Sequence, residues 1–381
     1  MLSVDSILNE AKRKTGLSDF GDDFPLDAIR LLTEPDDGES RLTVTGKYLM
    51  HRALVECLIN RLLIRAEVER DPSIVEEVIV RPLVVAGMGR TGTTLLQRLL
   101  SQDSRCRPLL CWEALHPAPS PDRGNHRTDP RIAMTEREME GLFSAFPQLA
   151  AMHYMDAGTP EESEWLLQNT LIVPGFLWRP PEFRRYNDWC RKQDRAPAYR
   201  YFKLQLQILQ RHFPPAHWVL KGNEHVYSLE LLLSTFPDAC VVQTHRDPLE
   251  SLPSNLSLDL QVITLKRSPG KQYMAEAVQA MMEDYARTLE RAIEVRRRAD
   301  PSRLFDAHYS RLLPDPIGTV RQIYDHFGYF YDDEFESGMI QWLAENPQGK
   351  HGVHRYSLEQ FGLNPDAVRR RFAGYCDYFR V

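Results

Sequence analysis

The stretch Arg81-Pro82-Leu83-Val84-Val85-Ala86-Gly87-Met88-Gly89-Arg90-Thr91-Gly92-Thr93-Thr94 decides the reading of this chain. Its first half is a short apolar, β-branched run bounded by proline and glycine, which predicts a strand buried on both faces of a parallel sheet. From Thr93 the period changes: Leu95, Leu96, Leu99 and Leu100 recur at helical spacing. The glycines at 87, 89 and 92 therefore lie in a strand-to-helix turn. Unpaired backbone N–H groups and the positive end of the helix dipole make such a turn an anion site.

The pattern repeats outward from this point. His217-Trp218-Val219-Leu220 and Ala239-Cys240-Val241-Val242-Gln243-Thr244 predict two further buried strands, each followed by a helical pattern (225–235 and 248–260). Leu304-Phe305-Asp306-Ala307-His308-Tyr309 predicts another strand, and 272–299 a long helix. Residues 1–79 read as a helical N-terminal segment, with Leu49, Ala53, Cys57 and Leu58 spaced along a helix from Tyr48 to Glu69. Strands alternating with helices predict an α/β fold with a P-loop-like central parallel sheet flanked by helices. The main domain is expected over 80–381, with the helical segment packed on it.

Composition narrows the function. The chain has 381 residues, 43% of them hydrophobic and 26% charged, an ordinary globular mix. No apolar run approaches the roughly 18 residues of a membrane span. Met1-Leu2-Ser3-Val4-Asp5-Ser6 lacks the basic start and apolar core of a secretory signal. The six cysteines, at 57, 106, 111, 190, 240 and 376, form no C-x-x-C pair, so a disulfide framework and a zinc site are not expected, and a reducing, cytoplasmic setting is. A net charge of −6 argues against nucleic acid as the partner. Only nine of the 47 basic residues are lysines, which makes a lysine at a strand end worth following.

Three ligands suit the glycine turn. A nucleoside-triphosphate P-loop has glycines where 87 and 92 stand, but its lysine position holds Thr93. The dinucleotide fingerprint G-x-G-x-x-G is matched at 87, 89 and 92, with Glu113 as an acid about 20 residues on, so an NAD(P)-dependent oxidoreductase is the alternative function. The third is a loop for a 5′-phosphosulfate. There a basic side chain before the second glycine and paired hydroxyls after it replace the lysine, and Arg90, Thr93 and Thr94 occupy those places.

A second motif favours the third reading. Thr244-His245-Arg246-Asp247-Pro248 ends a predicted strand, and Ser254 follows Arg246 by eight residues. Together, Arg90-Thr91-Gly92-Thr93-Thr94 and the Arg246/Ser254 pair resemble the two donor-binding motifs of the sulfotransferase family. Trp218-Val219-Leu220-Lys221-Gly222-Asn223-Glu224-His225 resembles its bacterial branch, and the resemblance runs from about 80 to 360. It implies transfer of a sulfuryl group from 3′-phosphoadenosine 5′-phosphosulfate (PAPS) to a hydroxyl of a small-molecule, lipid, glycolipid or carbohydrate acceptor. No metal is implied. It further implies that Gly89, Arg90, Thr91, Gly92, Thr93 and Thr94 hold the 5′-phosphosulfate, and that Arg246 and Ser254 hold the 3′-phosphate. A basic loop carrying Lys350 and Arg355 would close over that phosphate. An Arg fork with a hydroxyl suits the group that separates this donor from ordinary adenylates.

Arg90 and Lys221 are then expected to stabilise charge at the sulfuryl centre, and the acceptor needs a general base. Thr159, Pro160 and Glu162 read as the N-cap, N1 and N3 of a helix start, which accounts for Glu161 and Glu162 as capping residues. Glu164, one turn on and beside Trp165, is the favoured base; Glu113 and His225 are the other choices. Arg90 and Leu95 depart from the commonest cytosolic members, which carry Lys and an adenine-stacking Trp there. Twelve aromatics between 143 and 202, among them Phe143, Phe146, Tyr154, Trp165, Phe176, Trp178, Tyr186 and Trp189, would suit either an acceptor cleft or core.

Overall fold

In a computed structural model the protein is described over residues 2–21, 24–34, 42–178, 183–347 and 356–381, with only the backbone of 148, 151, 152 and 176. Five parallel strands form one sheet: β1 (Leu83–Gly87), β2 (Cys106–Pro108), β3 (His217–Lys221), β4 (Cys240–His245) and β5 (Leu304–His308), in the order β2-β3-β1-β4-β5. Side chains alternate across it, as the pleat requires. Val84, Ala86, Trp218, Leu220 and Val241 enter one core, while Leu83, Val85, Val219, Cys240 and Val242 enter the other. Both faces being covered is why these strands read as unbroken apolar runs.

The glycine turn leads from β1 into helix α4 (Thr93–Leu100), whose Leu96, Leu99 and Leu100 pack on one face of the sheet. Helices α7 (Pro248–Lys266) and α8 (Lys271–Arg296) cover the other face, together with α10 (Pro365–Phe379). α7 starts where the sequence says it must: Asp247 caps it by accepting from the Leu249 amide at 2.8 Å, and Pro248 takes the N1 place that needs no N–H. The remaining labelled helices are α5 (Cys111–Leu115), α6 (Glu164–Gln168) and α9 (Tyr309–Leu312).

The N-terminal segment is helical: α1 (Val4–Thr15), α2 (Leu26–Thr33) and α3 (Val44–Arg70). Ile7, Ile29, Leu54, Leu58 and Leu62 form a separate core with Leu171, Trp178 and Tyr186. At about 2 kcal/mol for each fully buried aliphatic side chain, this core anchors the segment firmly. It also decides between cleft and core for two of the aromatics. Trp178 and Tyr186 are fully buried there and cannot line an acceptor cleft, whereas Tyr154 is exposed and stacks on Phe143; the Phe176 side chain lies outside the described residues. Among the described residues no helix is long and apolar enough to cross a membrane.

Candidate functional site

β1 and β4 run in register, Gly87 opposite Thr244, so the two predicted anion motifs leave neighbouring strands at the same level. The turn after β1 is stitched from below. Thr91 Oγ1 donates to the Met88 carbonyl at 2.6 Å and lies 2.5 Å from the Thr244 hydroxyl. Asn255 Nδ2, on α7, donates to the Gly89 carbonyl at 2.7 Å. That contact requires glycine: a Cβ at 89 would stand 2.2 Å from Asn255 Oδ1. Gly92 caps α4 at φ 93°, where a Cβ would sit 2.8 Å from Leu312 and 3.1 Å from Tyr309 of α9. Thr91 is thus a buried structural member of the loop. Thr94 is exposed at the mouth of α4, and Thr93 is buried at its first position.

Arg90 takes a left-handed conformation, φ 66°, unusual for a side chain of its size. This turns it toward the second motif. Arg90 Nε donates to Ser254 Oγ at 3.0 Å, and the Arg90 carbonyl accepts from Arg246 Nη1 at 3.0 Å. The Arg246 guanidinium lies 4.2 Å from the centre of the Tyr309 ring and donates through Nε to Glu250 at 3.0 Å. Arg90, Arg246 and Ser254, named separately in the sequence, therefore meet. Lys350 and Arg355 lie outside the described residues.

On the other flank of the turn, Lys221 ends β3 and is 3% exposed. Its ammonium donates to Glu162 Oε1 at 2.7 Å and to Thr94 Oγ1 at 3.3 Å, which ties it to the mouth of α4. The helix start expected at Thr159 is absent. Pro160 instead bridges to Leu110, Thr159 Oγ1 closes a turn onto the Asp156 carbonyl, and α6 begins only after Ser163. The Ser163 amide donates to the Lys221 carbonyl at 2.7 Å, docking residues 161–164 across the end of β3. Glu162 is therefore no cap but the counter-ion of Lys221. Glu161 accompanies it, buried and 3.3 Å from His153 Nε2. Burial raises the Glu161 carboxyl, but His153 and then Lys221 overcome this and hold it at about 2. Glu162 is likewise held low, burial being outweighed by Lys221 and then His153. Desolvation lowers His153, and Glu161 reverses the sign and raises it. His153, Glu161 and Glu162 gather their ligand atoms within 4.8 Å, yet Lys221, 2.7 Å from Glu162, already supplies a cation to the two carboxylates.

Glu164 is buried and opens α6, two residues beyond Glu162. His225 is fully buried behind β3. Its Nδ1 lies 3.1 Å from the Tyr199 hydroxyl, and burial pushes it down to about 4, so it is neutral at pH 7. Glu113 is also fully buried. It accepts from Arg107, from His126 at 3.0 Å and from the Leu110 amide at 3.1 Å. That placement removes the dinucleotide reading. Its acid must end a strand beside β1, whereas β3 stands between β1 and β2, and Glu113 sits in α5 with its oxygens engaged.

Sequence reasoning did not find Glu162, His153, Asn255 or Tyr309. Only Tyr309 carried a signal, since it directly follows β5 at the carboxyl end of the sheet, where open α/β folds bind ligands.

Comparison with known proteins addresses the family and the fold. Residues 82–333 match the model of the sulfotransferase family. The structure of sulfotransferase STF1 from Mycobacterium tuberculosis superimposes with a TM-score of 0.84 at 33% identity, covering 98% of each chain. That of STF9 from Mycobacterium avium does so with a TM-score of 0.87 at 29% identity, covering 100% of this chain and 97% of that one. The omega-hydroxy-beta-dihydromenaquinone-9 sulfotransferase Stf3 of Mycobacterium bovis is 26% identical over 299 residues, 73% of this chain and 71% of its own.

Proposed function

Because the chain belongs to the sulfotransferase family, we propose that its anion turn and the Arg246/Ser254 pair bind PAPS, and that residues 161–164 and Lys221 face the acceptor side of the same turn. The contact of Arg90 with Ser254 and of Arg246 with the Arg90 carbonyl carries this reading. It brings two cationic side chains to one place, with Glu250 engaging only the Nε of Arg246.

Sulfuryl transfer is an in-line displacement through a loose transition state, so the protein supplies position and charge stabilisation. The amides at the mouth of α4, the Thr93 and Thr94 hydroxyls and Arg90 meet the negative charge that grows on the departing 5′-phosphate. Lys221 leaves Glu162 to bind a sulfuryl oxygen. Arg246, placed over the Tyr309 ring, and Ser254 receive the 3′-phosphate. Glu164 takes the proton of the acceptor hydroxyl. Glu161 and Glu162, held ionised by His153 and Lys221, are weak bases and keep the local charge balanced instead. Glu113 holds Arg107 and His126 and has no oxygen left for an acceptor. His225 supports the Gly222 turn after β3 from behind. Stf3 is named for a hydroxylated menaquinone, which supports a lipid-like alcohol as acceptor. The six free thiols suit a reducing, cytoplasmic setting.

Calorimetry with 3′,5′-bisphosphoadenosine, adenosine monophosphate and NAD tests the donor site. The bisphosphate should bind far more tightly than the other two, and Arg246→Ala should erase the difference; NAD binding best would reject the reading. For the base, Glu164→Gln should lose turnover of labelled donor while keeping bisphosphate affinity, and undiminished turnover would remove Glu164 from the role.

A further inference from the structure

Beneath Arg246 a chain of hydrogen bonds crosses three elements, running from a solvent-exposed carboxylate to a buried imidazole. His245, the last residue of β4, is fully buried. Its Nε2 lies 2.9 Å from Asp306 Oδ1 on β5, and its Nδ1 lies 3.1 Å from the Tyr375 hydroxyl on α10. Arg296, at the end of α8, donates to the same Asp306 oxygen at 2.7 Å and to Gln243 Oε1 at 3.0 Å. The Phe379 ring stacks on the imidazole at 3.8 Å. Burial lowers the imidazole to about 4 against the pull of Asp306, so it is neutral at pH 7. Asp306 is itself held low: His245 and Arg296 outweigh its burial.

The direction of the chain follows from this. A neutral imidazole carries one N–H, and an ionised carboxylate only accepts. The proton is therefore on Nε2, facing Asp306, and Nδ1 accepts from the Tyr375 O–H. The imidazole and the tyrosine hydroxyl are costly to bury unless paired, and the chain leaves them a single satisfied arrangement. Apolar residues of similar size would have filled the same space at no such cost. Its place suggests why it is there. The next residue is Arg246, and Tyr375 and Arg246 line one crevice with Thr91 and Met88 of the anion turn.

We propose that Tyr375, His245 and Asp306 are positioning residues that fix the end of β4, so that Arg246 meets the donor's 3′-phosphate in one orientation, and that the C-terminal helix α10 thereby takes part in donor selectivity. This rests on the donor reading above. The competing view is that the chain only anchors α10.

Tyr375→Phe and Asp306→Asn, made in the full chain, separate the two. Affinities for 3′,5′-bisphosphoadenosine and adenosine monophosphate are measured beside the thermal midpoint. Each variant should bind the bisphosphate about tenfold more weakly, the scale of one lost hydrogen bond in a charged network, with monophosphate binding unchanged. Val368→Ala, which loosens the same helix at a buried core residue outside the chain, should lower the midpoint and leave the ratio of the two affinities intact. A ratio unchanged in both Tyr375→Phe and Asp306→Asn overturns the proposal, as does an equal loss for both ligands. Should Asp306→Asn fail to fold, the isosteric Tyr375→Phe decides alone. If the wild-type protein does not prefer the bisphosphate at all, the donor reading falls, and this proposal with it.

Discussion

Lys221 is a buried cation at the turn that is already held by a carboxylate, and this makes Glu162→Gln an informative substitution. The ammonium is 3% exposed and sits 2.7 Å from Glu162. To reach a sulfuryl or phosphate oxygen it must give that contact up. A charge-assisted hydrogen bond of this kind is worth about 2 kcal/mol net. Replacing Glu162 by its uncharged isostere removes that competition and adds one unit of positive charge to the turn. Bisphosphate binding should therefore tighten, by about 30-fold if the full 2 kcal/mol is recovered. Stability should move the opposite way. The ammonium keeps only Thr94 and an amide as partners, and breaking a buried pair from one side costs about 3 kcal/mol. Isothermal calorimetry reads the first effect and urea denaturation the second. A variant that loses stability but binds the bisphosphate no better, or less well, would show that Lys221 never turns toward the donor and belongs to the scaffold.

Two further outcomes follow from the same geometry. Gly92→Ala places a side chain at φ 93° and a methyl 2.8 Å from Leu312, so it should cost about 2 kcal/mol of stability; because it distorts the 5′ half of the turn, it should weaken bisphosphate and monophosphate together, unlike Arg246→Ala, and selective loss of only one would contradict it. Stability should also fall as pH drops from 6.5 toward 4. His217, His225 and His245 are all lowered to about 4 by burial, so the unfolded chain takes up their protons first. Their contribution is complete above pH 6.5 and disappears by about 4, at up to about 3 kcal/mol each. Glu161, held at about 2, adds a loss below 4.5, whereas His153, which is raised, loses its contribution only as pH rises above 6.5. A thermal midpoint flat between pH 7 and 4.5 would refute this.

Much of the scaffold was legible because a parallel sheet writes itself as continuous apolar runs. β1, β3 and β4 carry one, β5 shows a run broken at Asp306, and α4, α7 and α8 follow where the period changes. β2 was not found: Cys106-Arg107-Pro108 has no such run and owes its place to pairing with His217–Val219. α3 starts at Val44, four residues before the Tyr48 expected, because Thr43 caps it by accepting from the Gly46 amide. The meeting of Arg90 with Arg246 could be anticipated, since each motif names its own ligand group. Glu162 could not. Its local signal was that of a capping box, and the contact that overrides it comes from Lys221, distant in the chain. His245, Asp306 and Tyr375 were hidden for the same reason, as their spacing has no local periodicity.

The halves of the anion site sit side by side in space, but Arg90 and Arg246 are 156 residues apart along the chain. During synthesis the first half emerges long before the second can join it, and β3 has to insert between β1 and β2 in the meantime. If the proposed donor site is right, no nascent fragment ending before β4 holds a doubly phosphorylated nucleotide. On that reading, ligand capture on the ribosome follows the joining of β4 to β1, and a cut anywhere in the intervening stretch that lets β1 and β4 drift apart would silence both ends of the pocket at once.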